Sequence, residues 1–254
     1  MSETGRTAAR PGRVALITGS TSGIGAAIAR RLAADGFAVA LHSRQSIAAG
    51  EAMARELPGA SYTRADLADA GQCKSLIEAV LAKHGRLDVL VNNAGVSSRI
   101  AHGDLAAATA EIWRQMMDVN VIGPWLLIAA AEQALRAAAT ADRPACIVNI
   151  GTHAAVRPKG ASIPYAASKA ALHHASRLLA LALGPAIRVN VVAPGLVDTP
   201  MTASWTDAQE LWRTRAPMRR AAQPSDIAEA VVGLVRNDYV TGEILLMDGG
   251  LNLT

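Results

Sequence analysis

The sequence predicts a single α/β domain whose parallel, doubly wound sheet has seven strands and is flanked by helices on both faces. Short apolar runs rich in β-forming residues alternate along the chain with longer helical patterns. The first run, Arg13–Thr18, is followed at once by a glycine-rich turn and a helix. No repeat or internal boundary interrupts this alternation. We therefore expect a disordered tail at residues 1–12 and one domain at residues 13–254.

The composition argues against several other classes of protein. Of 254 residues, 51% are hydrophobic, which is ample for a large core, yet no apolar run approaches the length needed to cross a membrane. Aromatic residues make up only 3%, too few for the stacking platforms that bind nucleic acid. Two cysteines, without a Cys/His cluster at ligand spacing, favour a reducing cytoplasm over a disulfide framework or a zinc site.

The glycine-rich turn Gly19–Gly25 lies between the first predicted strand and a predicted helix at Ala26–Asp35. Glycines let the backbone approach a pyrophosphate closely, and a helix N-terminus offers free N–H groups and a favourable dipole. This placement predicts a Rossmann-type dinucleotide site. The alternative is a flexible turn whose glycines are incidental.

The end of the second predicted strand, Phe37–His42, bears on the choice of cofactor. An acid at this point would bind the ribose hydroxyls of NAD, but Ser43 and Arg44 stand there instead. A hydroxyl and an arginine suit a 2′-phosphate, so NADP(H) is favoured over NAD(H). The alternative is that Arg44 is only a loop charge.

The later strands also end in polar or glycine-containing segments. These are Ser61–Ala65 with Asp66 and Leu67, Leu87–Val91 with Asn92–Gly95, Ala145–Ile150 with Gly151 and Thr152, Ile187–Val192 with Pro194–Thr199, and Gly242–Met247 with Asp248–Gly250. Between them we expect helices at Ile47–Leu57, Asp69–His84, Thr109–Ala139, a stretch ending near Leu183, and Pro224–Val235. Because the carboxyl ends of parallel strands meet at one edge, where ligands bind, we expect these segments to line one site.

Tyr165 and Lys169 lie four residues apart on a predicted helix, so they project from the same face about one turn apart. A neighbouring cation favours the phenolate, which brings proton exchange nearer to neutral pH. Thr152, thirteen residues upstream, adds a hydroxyl to the same region. An isolated Tyr-x-x-x-Lys pair is more often a pair on a helix surface, so the other motifs must decide its meaning.

Two further features leave alternatives open. Asn120 stands among apolar residues and is either functional or a satisfied core amide, with Pro124 expected to kink the same helix. Residues 200–222 read as an irregular segment and a candidate lid over the site. Within it, Arg213–Arg220 is either a solvated basic loop or a surface that attracts an acidic substrate or carrier.

Together these motifs resemble the short-chain dehydrogenase/reductase family. The resemblance rests on Thr18–Gly25, Asp66, Asn92–Gly95, Asn120, Tyr165–Lys169, Asn190, Pro194, Gly195, Thr199 and Asp248–Gly250. They occur in the order and spacing of the family from about Arg13 onward. Each motif is weak alone, but the set is specific, and it argues against a mere surface pair at Tyr165 and Lys169.

The resemblance implies an oxidoreductase that transfers hydride between a nicotinamide cofactor and a carbonyl or secondary alcohol. Tyr165 would donate a proton in reduction, Lys169 would hold the nicotinamide ribose, and Asn120 would anchor a water. The implied cofactor contacts are Gly19, Thr21, Ser22, Gly23, Ile24 and Gly25 at the pyrophosphate turn, Ser43 and Arg44 at the 2′-phosphate, Asp66 with Leu67 at the adenine, Asn93, Ala94 and Gly95 along the adenosine side, and Pro194, Gly195, Val197 and Thr199 in the segment that reaches the carboxamide.

One departure concerns Thr152, because the family usually has serine there, within Ser-Ser. Threonine keeps a hydroxyl that donates and accepts, but its methyl restricts χ1 and narrows the space beside the reacting carbon. We expect Thr152 still to polarise a substrate carbonyl; the alternative is much weaker catalysis. We expect His153 to be a loop histidine without a catalytic role.

The substrate is expected to be a small carbonyl or alcohol compound. The overall resemblance to 3-oxoacyl thioester reductases makes a 3-oxoacyl thioester the first expectation. A sugar or polyol dehydrogenase and a general ketone reductase are the alternatives, and a non-catalytic NADP-sensing protein is the alternative from another class. The resemblance also implies a homotetramer that pairs the long helices near Thr109–Ala139 and Ser162–Leu183. No nucleic acid, membrane or metal is expected as a partner.

Overall fold

In the computed structural model, which describes residues 12–254, one sheet of seven strands runs parallel throughout. The strands are β1 Val14–Ile17, β2 Ala38–Ser43, β3 Ser61–Arg64, β4 Val89–Asn92, β5 Ala145–Ile150, β6 Ile187–Pro194 and β7 Ile244–Met247. Their order across the sheet is β3-β2-β1-β4-β5-β6-β7. The predicted fold class is confirmed. The tail expected at residues 1–12 lies, except for its last residue, outside the described residues.

Helices cover both faces of this sheet. They are α1 Gly23–Ala34, α2 Ile47–Glu56, α3 Ala70–His84, α4 Ala110–Met117, α5 Gly123–Ala138, α6 Ile163–Leu183, α7 Thr206–Arg215 and α8 Pro224–Arg236. Side chains of β1 alternate between two apolar clusters: Ala15 and Ile17 pack with α1 and α8, whereas Val14 and Leu16 pack with α3 and α5. Since both faces are buried, the strand reads as a continuous apolar run rather than an alternating one.

The strand order reverses beside β1, and this reversal positions the site. The chain winds outward from β1 to β3 and then returns to β4 on the other side of β1. The segments that follow β1 and β4 therefore diverge at the carboxyl edge and leave a crevice between them. The turn at Gly19 and the segment Asn93–Gly95 lie together there, since a Cβ placed on Gly19 would be 3.0 Å from the Cα of Ala94.

The long helical region predicted at 109–139 is present, but its break is not at Pro124. A π-helical segment, Asp118–Ile122, separates α4 from α5, and Pro124 lies in the first turn of α5. Proline is tolerated in a first turn because its missing N–H has no partner there anyway. A π-helical turn holds one extra residue, a feature that apolar periodicity does not reveal and that is often found at functional sites.

The prediction that residues 200–222 are irregular is wrong for their middle part, which forms α7. None of its residues is fully buried, but Ala208, Leu211 and Trp212 form a short, half-buried apolar stripe that lines the cavity. Three apolar residues among polar ones are a weak helical signal, so the sequence did not predict the helix. Within the described residues, no helix is long and apolar enough to cross a membrane.

Candidate active site

A cavity of about 570 Å³ opens at the carboxyl edge of the sheet. It brings together most of the residues predicted from the sequence, which are Gly19, Thr21, Ser22, Gly23, Ile24, Gly25, Asn93, Ala94, Gly95, Thr152, Tyr165, Lys169, Pro194, Gly195, Val197 and Thr199. Ser43, Arg44, Asp66, Leu67 and Asn120 do not line it. The cavity also has walls from the segment after β4 and from α7.

The glycine-rich turn is interlocked with the segment after β4. The Asn93 side-chain amide donates to the carbonyl oxygens of Thr18 at 2.8 Å and Gly19 at 3.1 Å. A Cβ placed on Gly25 would lie 2.2 Å from the Gly19 oxygen and 2.5 Å from Asn93 Nδ2, so no side chain fits at this position. The buried His42 supports the same turn through its Nδ1, which accepts the Gly19 N–H at 3.2 Å. The turn is therefore held in one shape from three sides.

The N-terminus of α1 is suited to a pyrophosphate. Its N-cap residue, Ser22, makes no capping hydrogen bond through its side chain within the described residues, and the first turn carries no acidic residue. In contrast, Asp69 caps α3 and Ser162 caps α6. Free N–H groups and the positive end of the helix dipole therefore face the crevice beside Gly19 and Gly23, where a dinucleotide phosphate would be stabilised.

The residues expected at the adenosine end lie beyond the cavity. Arg44 is about half exposed, and its guanidinium is 3.8 Å from the Asp66 carboxylate. Ser43 is buried, and its hydroxyl is 2.8 Å from the Tyr62 hydroxyl. Arg44 is thus exposed and only distantly paired, so its guanidinium can turn to an anion, while the Ser43 hydroxyl is engaged within the chain.

Tyr165 and Thr152 come together from different elements. Ser162 begins α6 by accepting the N–H of Tyr165 at 3.3 Å, which fixes the first turn of the helix. The Thr152 hydroxyl accepts the Ala154 N–H at 3.3 Å and lines the same cavity as the phenol of Tyr165. Burial raises the pKa of Tyr165, and the nearby hydroxyl of Thr152 opposes that rise. In this chain, desolvation therefore outweighs the phenolate-favouring effect expected from Lys169.

Lys169 is buried and lines the same cavity. Its Nζ donates to the carbonyl oxygen of Ile150 at 2.7 Å, and burial lowers the pKa of Lys169 to about 8. A Cβ placed on Gly95 would lie 3.4 Å from Nζ, so the ammonium faces the segment after β4 across a narrow gap. The cation thus remains available at the base of the cavity near neutral pH.

Asn120 lies on the π-helical segment and is completely buried. Its oxygen accepts the Val96 N–H at 2.9 Å, while its amide donates to the Val96 oxygen at 3.0 Å and to the Ser168 hydroxyl at 3.1 Å. These contacts are those of a satisfied amide. They hold the segment after β4 against α6, next to Lys169.

The outer wall of the cavity is formed by α7 and by Arg99, from the segment after β4. Arg99 forms an ion pair with Asp207, and its guanidinium lies 5.9 Å from the ring centroid of Trp205. Deeper in the cavity, the ring of Trp212 meets His153 edge-on at 6.2 Å. His153 is buried 3.5 Å from Asp248, and burial lowers its pKa.

Much of the basic stretch Arg213–Arg220 is paired locally. Arg213 meets Glu210 at 2.6 Å, Arg220 meets Asp226 at 2.5 Å, and Arg219 donates to the Thr214 carbonyl. These contacts fit the interpretation of a solvated basic segment rather than that of a free cationic surface.

Sequence reasoning did not single out Arg99 or His173. Arg99 follows Asn93–Gly95 in a loop without any pattern. His173 carries a usable signal, since it follows Lys169 by four residues and Tyr165 by eight, and the three therefore share one face of α6.

Comparison with known proteins extends over almost the whole chain. The family model described as Enoyl-(Acyl carrier protein) reductase matches residues 19–252. The chain is 47% identical over 243 residues to a Streptomyces violaceoruber protein named as ketoacyl reductase 2 of the granaticin polyketide synthase, covering 94% of this chain and 96% of that protein.

Solved structures agree with this match. The Pseudomonas aeruginosa RhlG/NADP active-site complex superposes with a TM-score of 0.87 at 34% identity, covering 94% of this chain and 96% of the other. The 3-ketoacyl-(acyl-carrier-protein) reductase from Brucella melitensis, complexed with NADH, gives a TM-score of 0.86 at 32% identity, with 94% and 98% covered.

These proteins are oxidoreductases or nicotinamide complexes by name, and they lend no support to the non-catalytic alternative. The cofactors in these two structures are NADP and NADH. A nicotinamide cofactor is therefore common to them, whereas the 2′-phosphate that distinguishes NADP from NAD is not. The glycine-rich turn, the Tyr165–Lys169 pair and the match over residues 19–252 lead to one conclusion. The chain belongs to the short-chain dehydrogenase/reductase family and is an oxidoreductase that acts on carbonyl or alcohol groups with a nicotinamide cofactor.

Proposed function

We propose that this chain reduces 3-oxoacyl thioesters with NADPH. The observation that carries the proposal is that one cavity is lined by the Thr152 hydroxyl, the Tyr165 phenol and the buried ammonium of Lys169. Two hydroxyl groups and a cation in one cavity suit the oxygen of a carbonyl that becomes an alkoxide. Two of the similar proteins are ketoacyl reductases by name, which favours this substrate class.

The preference for NADPH rests on Arg44. The end of β2 carries no acid to bind ribose hydroxyls, and Arg44 is the exposed cation there. A guanidinium can bind a 2′-phosphate through two parallel hydrogen bonds, which a ribose hydroxyl cannot match. The ion pair with Asp66 is long, at 3.8 Å, so little is lost when the guanidinium turns to a phosphate.

The bound nicotinamide supplies the hydride, and the chain supplies the remaining chemistry. Thr152 donates to the carbonyl oxygen and holds it beside Tyr165, which gives up its phenolic proton as negative charge develops. Lys169 stabilises the resulting phenolate and the ribose hydroxyls of the cofactor. Asn120 keeps α6 and the segment after β4 together, and we propose that its oxygen also anchors a water on the path by which Tyr165 regains its proton.

The variant Tyr165→Phe tests this assignment. It removes the proton donor but keeps the ring, so we expect kcat to fall roughly 10²- to 10⁴-fold while NADPH still binds. Tyr239→Phe is the matched control, since Tyr239 is 96% exposed and lies outside the cavity. Turnover of Tyr165→Phe at the rate of the control would show that another group donates the proton.

The substrate is tested by following NADPH absorbance with 3-oxoacyl thioesters, simple ketones and sugars, each with wild type and Tyr165→Phe. We expect the highest kcat/KM with the thioesters, and a fall of roughly 10²- to 10⁴-fold in kcat/KM with Tyr165→Phe. A higher kcat/KM for a sugar or a ketone would move the assignment to that class and leave the roles of Tyr165 and Thr152 intact.

We also propose that residues 200–222 form a lid and that the protein is a cytoplasmic homotetramer. The lid is supported by α7, which covers the cavity without burying any residue of its own. Association is supported by large apolar side chains exposed on α5 and α6, namely Trp125, Leu178 and Leu181. Both cysteines are free, which fits a reducing compartment. Light scattering in solution tests the oligomeric state, and a monomer at working concentration would exclude the tetramer.

A further inference from the structure

We propose that His173 is a positioning residue for the carbonyl-polarising hydroxyl: its Nε2 accepts the N–H of Thr152, and Gly151 is glycine so that the imidazole can reach that amide. The distance from Thr152 N to His173 Nε2 is 3.3 Å, and His173 is 4% exposed. This inference rests on the role proposed above for the Thr152 hydroxyl.

The space for the imidazole exists only because residue 151 has no side chain. A Cβ placed on Gly151 would lie 2.0 Å from His173 Nε2 and 2.7 Å from Val191 Cγ1. Real Cβ atoms do not approach other atoms so closely, and the buried ring has no room to move aside. The family usually has serine at the position of Gly151. Here the missing side chain at Gly151 and the imidazole of His173 on α6 therefore depend on each other.

The surroundings of His173 keep its imidazole neutral, so that Nε2 can accept a hydrogen bond. Burial, then the nearby cations of Lys169 and Arg177, lower the pKa of His173 to about 4. The imidazole is thus neutral near pH 7, with one protonated and one accepting nitrogen. Because Nε2 faces the Thr152 N–H, the proton belongs on Nδ1.

The consequence is a fixed strand end. Lys169 Nζ donates to the Ile150 oxygen at 2.7 Å, the Gly151 N–H donates to the Val192 oxygen at 2.7 Å, and His173 accepts from Thr152. Three consecutive residues are thereby held, two of them by side chains one helical turn apart on α6. Tyr165 lies on the same helix. α6 therefore fixes the position of the Tyr165 phenol and also that of the backbone that carries the Thr152 hydroxyl.

The first test compares His173→Leu, which removes the acceptor, with His173→Gln, which keeps an acceptor oxygen near the place of Nε2. We expect kcat of His173→Leu to fall roughly 10- to 100-fold through misplacement of Thr152, with the Kd for NADPH unchanged, and His173→Gln to recover most of the loss. Wild-type kcat in His173→Leu would overturn the proposal. Equal losses in both variants would also overturn it, since packing rather than the acceptor would then matter.

The second test uses Gly151→Ala in the wild-type and His173→Ala backgrounds. The added methyl should lower kcat strongly when the imidazole is present and much less when it is absent, since only the contact with Val191 then remains. An equal loss in both backgrounds would contradict the match between Gly151 and His173.

The third test needs no variant and no turnover. Nitrogen NMR of the ¹⁵N-histidine-labelled protein with NADP bound should show His173 as the Nδ1–H tautomer at pH 7. A proton on Nε2 would overturn the proposal. Retention of wild-type kcat by Thr152→Ala would instead defeat the proposed function of the hydroxyl, so the two failures are distinguishable.

Discussion

On the cofactor side of the cavity, Gly19, Gly25 and Asn93 interlock so closely that a single methyl on Gly25 would approach the Gly19 oxygen to 2.2 Å. On the substrate side, α7 buries none of its residues and is joined to the facing segment by the exposed ion pair of Arg99 with Asp207. One side is shaped by backbone packing, and the other is shaped by side chains on a loosely attached helix.

This difference explains why the cofactor side can be predicted from the sequence more readily than the substrate side. A dinucleotide is the same in many enzymes, so the backbone that receives it is specified by glycines at fixed spacing. A substrate pocket is specified by whatever side chains the lid presents, here Trp205 and Trp212. Changes on the cofactor side should therefore cost more than changes on the substrate side, with Thr152 as the exception because it takes part in the chemistry.

The largest effect is expected from Gly25→Ala. The methyl would collide with the Gly19 oxygen and Asn93, so we expect NADPH binding to be lost and the melting temperature to fall, since overpacking costs about 1–3 kcal/mol. Gly233→Ala is the control, because Gly233 lies on α8 with nothing within 4 Å and should gain stability. Isothermal titration with NADPH and thermal unfolding give the two readouts. Normal NADPH affinity in Gly25→Ala would refute the interlocked turn.

The next effect is expected at Thr152. Thr152→Ala removes a donor to the carbonyl oxygen and should lower kcat roughly 10²-fold, whereas Thr152→Ser keeps the hydroxyl and should preserve or raise kcat. Steady-state kinetics at saturating NADPH separate the two variants. If Thr152→Ala works as well as wild type, the hydroxyl is idle.

A smaller effect is expected at Arg44, and it sharpens the comparison within the cofactor side. Arg44→Ala should raise the Kd for NADPH about tenfold, through the loss of a charge-assisted hydrogen bond, and leave the Kd for NADH unchanged. Titration of cofactor fluorescence measures both constants. Tighter binding of NADH than of NADPH by the wild type would contradict the 2′-phosphate argument.

The smallest effect is expected at the ion pair that joins α7 to the facing segment. Arg99→Met should raise KM only a few-fold with little change in kcat, since exposed ion pairs contribute about 0–1 kcal/mol. Glu111→Gln, which breaks an exposed pair with Arg114 on α4, is the matched control. A large drop in kcat for Arg99→Met would show that this residue takes part in the reaction and that the lid is less loosely attached than its burial indicates.

The sequence predicted the sheet, its winding and the place of the site, because these follow from apolar runs, glycine spacing and the rule that parallel strands bind ligands at their carboxyl edge. It did not predict α7, since the apolar stripe of this helix is only three residues long, Ala208, Leu211 and Trp212, and none of its residues is fully buried. It placed the break near Asn120 at Pro124, because a π-helical turn leaves no mark in residue types. The contact between His173 and Thr152 joins residues 21 positions apart on different elements, so only the fold reveals it.

The spacing along α6 has a consequence for how such a chain can vary in length. An α-helix turns about 100° and rises about 1.5 Å per residue. One residue inserted between Tyr165 and His173 would swing one of them away from residues 150–152 and undo the site in a single step. Around α7, none of whose residues is fully buried, insertions and deletions can be absorbed by its loops. Length differences among related enzymes should therefore gather around the lid and be absent from this part of α6.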